Sequence, residues 1–396
     1  MKEQLNHERL AYVDWLRILA VLLLIPFHTS QIFTNWIFYV KHQETSNILI
    51  FSSSFIHNFH MPLFIFLAGI SSFYALQFKS EKLFIIERFK RLFVPLIFGV
   101  IAIIPPQSYI RFFGDPARVW PKGFVNNAQG VGYSENFFQF YPKFYNGIFP
   151  NGNLEWGHLW FLAYLLTFSL IAIPVFIYLK SDKAHSLINK CVSLVKKPWG
   201  IFLFFIPIAL FEIFFRWKFP GLQNLIADWA NFFTYITIFI YGYLIMTRID
   251  FLEAIDKYWK QAFILAGLLS VFTALNYTLG FIKIKSTMIY ITAMILRGFI
   301  TWCWMIAFLG LGRKFLTRDN KILNYTKEAA LPYYILHQSV IIIIGYYILK
   351  LNLSIAASFA LICFLSFFII FIIYEIIIRR LNIFRFLFGM KTKNNC

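Results

Sequence analysis

Charge is scarce in this chain. Only 14% of its 396 residues are Asp, Glu, Lys or Arg, and just 18 of them are acidic. A soluble domain carries about a quarter charged residues, so a water-exposed globular enzyme is excluded. Intrinsic disorder is excluded too, because it requires low hydrophobicity and high charge. Cysteine is equally sparse. Cys191, Cys303, Cys363 and Cys396 lie far apart with no CxxC pair, which gives neither a disulfide framework nor a zinc site. No bound metal is expected. No stretch resembles a cleavable signal peptide. The first apolar run is too long and has no small-residue cleavage site, so it reads as a signal anchor. No internal repeat, low-complexity segment or fused soluble domain is evident.

Apolar residues, by contrast, make up 59% of the chain and aromatics 21%, with a mean hydropathy of +0.66. The apolar runs are continuous rather than alternating, which excludes an outer-membrane barrel. The pattern predicts an all-α fold, a polytopic transmembrane bundle in one membrane domain over 1–396. About ten spans are expected, at 16–36, 50–77, 92–110, 158–179, 199–215, 229–247, 261–281, 287–311, 330–350 and 353–378. Each crosses a core of about 30 Å. With the N-terminus inside, the segments up to 17 and at 79–91, 180–197, 248–260, 313–327 and 379–393 hold 26 of the 37 Lys and Arg. The positive-inside rule then places both termini in the cytoplasm. It also accounts for the net charge of +19 without a nucleic-acid partner. A lipid bilayer is the expected environment.

Residues 111–157 form the one long loop, on the outer side. It carries Trp120, Tyr133, Tyr141, Tyr145 and Trp156. Aromatic rings beside polar groups suit sugars, and they equally suit an interfacial belt.

Ionisable groups inside a membrane are costly and mark function or pairing. In the first span, Arg17 and His28 are eleven residues apart. Eleven steps at 100° complete three turns plus about 20°, so the two share a helix face about 16 Å apart along the axis. Asp14 is three residues before Arg17 and in reach of it. This geometry suits an anionic group held at the inner side with proton transfer deeper in. It equally suits a topology-setting Arg and a packing histidine.

The R-x10-H spacing resembles that of the acyltransferase-3 family of integral-membrane acyl-CoA:carbohydrate O-acyltransferases. Further stretches fit it. They are His57-Asn58-Phe59-His60-Met61-Pro62 through Gly69, Arg88-Phe89-Lys90-Arg91 before Pro95, and Gly157-His158-Leu159-Trp160-Phe161-Leu162. Ile25-Pro26-Phe27-His28, Tyr333-Tyr334-Ile335-Leu336-His337-Gln338, Tyr374-Glu375 and Phe386-Leu387-Phe388-Gly389 are most like its glucan biosynthesis protein C branch. The chain departs from that branch at His60, where an Arg is usual.

The resemblance implies a donor, acyl-CoA (succinyl-CoA or acetyl-CoA), on the cytoplasmic side and a glycan acceptor outside. No permanently bound cofactor is implied. Arg17 and His28 match the pair associated with donor binding and catalysis. Arg88 and Arg91 match the element that handles acyl-CoA, and His158 matches the conserved-type motif opening the fourth span. Histidine suits a general base because its ordinary pKa lies near neutrality, and arginine suits phosphate through its planar fork.

Other polar residues are weighed around these. His57 and His60, three apart in the second span, read as supports for His28 or as bonds between helices. Arg297 in the eighth span suits a thioester carbonyl or a succinyl carboxylate, or a pair with Glu212. Glu155 reads as orienting His158 or binding sugar hydroxyls. His337 reads as a helix-packing residue, with a catalyst as the alternative. The resulting expectation is a multi-pass protein of the bacterial inner membrane that acylates a periplasmic or cell-surface glycan. A proton-coupled transporter or flippase, or a non-catalytic partner in polysaccharide export, is the alternative.

Overall fold

The computed structural model describes residues 11–113, 136–149, 152–283 and 286–393. Trp120 and Tyr133 of the long loop, the tail cations Lys2 and Arg9, and Cys396 lie outside the described residues. Among the described residues the fold is helical, with one isolated β-bridge between Ile148 and Leu154.

The chain is a polytopic helical membrane protein. Among the described residues seven helices are long and apolar enough to cross a bilayer: Ala11–Gln31, Asn47–Phe78, Glu81–Arg111, Ile249–Leu279, Thr287–Phe315, Lys321–Leu349 and Ile355–Ile378. Gly157–Ile171 and Ile173–Lys180 form a further pair, bent by 46°. Pro174 explains the bend, since it has no N–H for the Leu170 carbonyl. The expected spans at 199–215 and 229–247 appear as shorter apolar helices, Gly200–Phe215 and Trp229–Ile245. The seventeen residues of the latter cover only about 25 Å. The most apolar helix, Ile355–Ile378, has just 28% of its apolar window buried against protein. Such a surface is untenable in water and ordinary in lipid.

Two elements differ from the sequence expectation. The first helix, Ala11–Gln31, already includes residues ahead of the expected start at 16 and ends five residues before the expected 36. The second span is interrupted, so that Asn47–His57 and His60–Phe78 are separate helices. Pro62 accounts for the break. It lacks the N–H that would bond the Asn58 carbonyl, and that carbonyl accepts the Thr301 hydroxyl instead at 3.3 Å.

The described chain divides into two compact units, each assembled from three stretches. Unit 1 comprises 1–20, 54–88 and 164–327. Its backbone is the antiparallel pair Ile249–Leu279 and Thr287–Phe315, with Phe205–Phe215 against the latter. His60–Phe78 packs on Trp229–Ile245, and the two cross at glycines. A Cβ on Gly69 would lie 2.1 Å from the Phe239 carbonyl oxygen, and one on Gly242 would lie 2.2 Å from that of Phe66. Only two residues without side chains allow this approach. Unit 2 comprises 21–53, 89–163 and 328–396. Within it Val94–Ala102 packs against the short turn Gly157–Leu159, and Ile104–Phe113 packs against Phe137–Lys143.

Candidate active site

Three histidines from three separate stretches of unit 2 meet. His28 comes from the first helix, His158 from the 3-10 turn Gly157–Leu159, and His337 from the Lys321–Leu349 helix. The His28 and His337 ring centroids are 4.9 Å apart, and those of His337 and His158 are 4.8 Å apart. His337 is thus the middle ring, and it is buried. Sequence reading favoured a packing role for it over a catalytic one. The structure makes it the residue that joins the two histidines read as functional.

The local backbone fixes this column. Gly157 has φ +46°, and a Cβ there would come within 2.3 Å of the Gln107 amide nitrogen, so the turn presenting His158 requires glycine. The imidazole Nε2 of His158 faces the Ile335 carbonyl at 2.9 Å. The Tyr334 hydroxyl donates to the His158 carbonyl. Nδ1 of His337 lies 2.5 Å from the Tyr334 carbonyl. A carbonyl only accepts, so each facing nitrogen carries the proton. In neutral rings this leaves Nδ1 of His158 and Nε2 of His337 as the basic nitrogens. Nδ1 of His158 is buried with no hydrogen-bond partner among the described residues. Phe27 meets the His28 ring edge-on at 5.1 Å, and Phe38 stacks on it at 6.0 Å.

A buried polar network flanks the column. Ser339, two residues beyond His337, donates to the Ile103 carbonyl at 2.7 Å and bonds Gln107 at 3.1 Å. Arg111 pairs with Glu155 at 3.1 Å, their side chains only 3% and 8% exposed. Ser108 donates to the second Glu155 oxygen at 2.6 Å. The Arg111 guanidinium lies over the rings of Tyr39 and Phe149 at 5.1 and 5.4 Å. Glu155 was expected to orient His158 or to meet sugar hydroxyls. The structure gives its carboxylate to Arg111 and Ser108, and gives the His158 donor a backbone carbonyl.

The segment joining the first two helices folds over this region. Lys41 anchors it, donating to the carbonyls of Gln31 at 2.6 Å, Trp36 at 2.9 Å, and Thr34. Gln31 ends the first helix, where carbonyls lack intrahelical partners. Burial lowers the Lys41 pKa to about 8, so at neutral pH the ammonium retains all three N–H bonds for these acceptors. In the long loop, Tyr145 donates to the Tyr141 hydroxyl at 3.0 Å, and Tyr141 to the Ile101 carbonyl at 3.1 Å.

In unit 1 the predicted arginines meet two adjacent serines. Arg17 bonds Asp14 at 3.0 Å and the Ser71 hydroxyl at 2.7 Å. Arg88 bonds the Ser72 hydroxyl at 2.9 Å and lies over the Phe84 ring at 4.7 Å. Each serine donates its own proton one turn back, to the Leu67 and Ala68 carbonyls. Its lone pairs are thereby left for a guanidinium. Ser71 and Ser72 hold both arginine heads at one level of the His60–Phe78 helix. Sequence reasoning missed them, although a Ser-Ser pair near the C-terminal end of an apolar span was a visible signal. Arg91 is exposed in the π-helical turn Phe89–Phe93. Pro95, four residues on, has no N–H for the Arg91 carbonyl, which favours such a turn.

The remaining candidates separate. His60 donates through Nε2 to the Ala20 carbonyl at 3.0 Å. His57 and Arg297 instead line a cavity of about 20 Å³ with Glu212, Asn231, Thr234 and Tyr235, room for a single water. Glu212 is held by Arg216 at 2.7 Å, Arg297 at 3.2 Å and the Thr234 hydroxyl at 2.9 Å. Among the described residues no three His, Cys, Asp or Glu side chains converge as metal ligands.

The family described as "Acyltransferase domain" matches residues 10–375. Glucans biosynthesis protein C of Escherichia coli strain SMS-3-5 is 26% identical, with 97% of this chain and 95% of the relative covered. The protein of that name from strain K12 is 25% identical over the same shares. No solved structure matches.

Proposed function

Because the chain belongs to the acyltransferase family, matched from residue 10 to residue 375, we propose that it is a membrane O-acyltransferase that modifies a glucan. It moves a succinyl or acetyl group from cytoplasmic acyl-CoA to a sugar hydroxyl on the far side of a bacterial inner membrane. The relatives are named for glucan biosynthesis, which supports a glucan as acceptor. The observation that carries the reading is the contact of His28, the histidine of R-x10-H, with a second imidazole at 4.9 Å.

His28 takes the acceptor hydroxyl proton as the oxygen attacks the thioester carbon. The C–S bond breaks, and the imidazolium returns the proton to the departing CoA thiolate. His337 orients that base, as the third member of a triad orients the second. Its Nδ1 is committed to the Tyr334 carbonyl, which leaves Nε2 to accept from an imidazole N–H. Arg17, Arg88 and Arg91 hold the phosphates of CoA, a chemistry to which their planar donor forks are suited.

The test is free-CoA release by purified protein in nanodiscs, with acetyl-CoA or succinyl-CoA, with and without glucan. Acceptor-dependent release identifies the donor. A carrier or scaffold consumes neither thioester. Arg88→Ala is expected to raise the KM for acyl-CoA about tenfold or more, the worth of a charge-assisted hydrogen bond, with kcat little changed. An unaltered donor KM removes Arg88 from donor binding. In a cysteine-free background, Asn146→Cys is expected to react with an impermeant thiol reagent from outside the cell, and Lys183→Cys only after lysis. The reverse labelling would invert the orientation.

A further inference from the structure

A cavity of about 440 Å³ opens in unit 2 between the segment after the first helix and the turn joining the helices Lys321–Leu349 and Ile355–Ile373. Its volume is in the range of small-molecule binding sites. We propose that it is the docking subsite for the acceptor oligosaccharide. This assignment rests on the transferase reading for its ligand, and its test does not depend on turnover.

Six of the lining side chains fall into two groups. One group builds the walls. Lys41 is bound to three backbone carbonyls, Lys350 sits 4.0 Å from the centre of the Tyr346 ring, and Tyr39 is covered by Arg111. The other group is Gln43, Glu44 and Asn352. They line the cavity, and among the described residues their side-chain heads make no hydrogen bond or ion pair with protein. Amides and carboxylates carry two polar atoms on a planar head, the arrangement that spans neighbouring hydroxyls of a sugar ring.

The remaining chemistry narrows the ligand. No arginine lines the cavity, which disfavours a phosphate ligand. Its lining mixes the aliphatic side chains of Val40, Ile110, Leu349, Leu353 and Ile355 with polar ones, a combination that suits the apolar faces and the hydroxyls of a sugar together. A neutral polyhydroxylated chain, presented with aromatic, amide and carboxylate groups together, fits it best. The cavity is also connected to the histidines. Tyr39 forms part of its lining, and the preceding residue, Phe38, stacks on the His28 ring. A sugar docked here is one residue along the chain from the aromatic that covers the base.

The experiment is calorimetric titration of the whole protein in nanodiscs with a glucose tetrasaccharide, laminaritetraose, without acyl donor. Wild type is expected to bind. Gln43→Ala/Glu44→Ala and, separately, Asn352→Gly are each expected to weaken binding about tenfold. Asn352 has φ +51°, so glycine deletes the amide without backbone strain. No binding by wild type at millimolar sugar overturns the assignment, as does unchanged affinity in both variants. Normal tetrasaccharide binding with no CoA release from any donor supports the subsite and removes the transferase reading. Transfer with a wild-type acceptor KM in both variants removes the subsite and keeps the transferase.

Discussion

Replacing His28 with alanine is expected to lower kcat for acyl transfer by about 10²- to 10⁴-fold, the contribution of a positioned general base. The donor KM should stay near its wild-type value, because the arginines assigned to CoA are untouched. The fold should survive as well. His28 is half-buried, and its ring neighbours Phe27 and Phe38 remain in place. His337→Ala is expected to cost less, about 10- to 100-fold, as removal of an orienting partner does. The double variant should then be no slower than His28→Ala alone, since residues that act as one unit are not additive. The pH dependence of kcat/KM separates orientation from packing. Loss of an orienting imidazole moves the acidic limb of the profile, whereas loss of packing lowers the rate at every pH alike. Normal turnover by His28→Ala refutes the mechanism. Fully additive losses in the double variant detach His337 from it.

Glu212→Ala is expected to destabilise the protein by about 3–5 kcal/mol, the usual result of removing one partner from a buried ion pair. The Glu212 side chain is only 1% exposed and faces Arg216 and Arg297 together. Without it Arg216 and Arg297 both lose the carboxylate that they share. Glu212→Gln keeps the shape and the contact with Thr234 but not the charge, and should fall between alanine and wild type. Thermal unfolding in one detergent, with the three proteins side by side, checks the order. An alanine variant that melts with wild type would show that the cluster contributes nothing to stability. Arg297 would then return to consideration as a ligand-binding cation.

Much of this was legible from local rules. Asp14 and Arg17 pair because residues three apart on a helix are neighbours, and continuous apolar runs placed the membrane helices. The break after His57 was legible in principle. Pro62 stands four residues beyond Asn58, and a proline deprives that carbonyl of its partner. The hydropathy of the run concealed this, because a broken helix and a continuous one have the same composition. His337 was not legible. It meets His28 across more than three hundred residues of chain, and no periodicity encodes that distance. The partner of Glu155 was hidden for a related reason. Its nearest ionisable neighbour in sequence is His158, but the cation it pairs with is Arg111, on the helix Ile104–Phe113. Rules of spacing detect partners one or two turns away. A buried charge takes whichever opposite charge the tertiary fold delivers.

The glycine crossing in unit 1 has a mechanical consequence. At Gly69 and Gly242 two helices touch backbone to backbone, and each spare Cβ position is already filled by the other helix's carbonyl. Phe66, Ile70 and Phe239 flank the contact. A slide of one turn along either axis would drive one of these bulky side chains into the space that only a hydrogen now occupies. The pair therefore behaves as a weld rather than a bearing. Packed interfaces of this kind do not deform by small degrees. Any motion that admits an acyl chain during turnover must be taken up by elements with looser contacts, and this crossing should hold its geometry through the cycle.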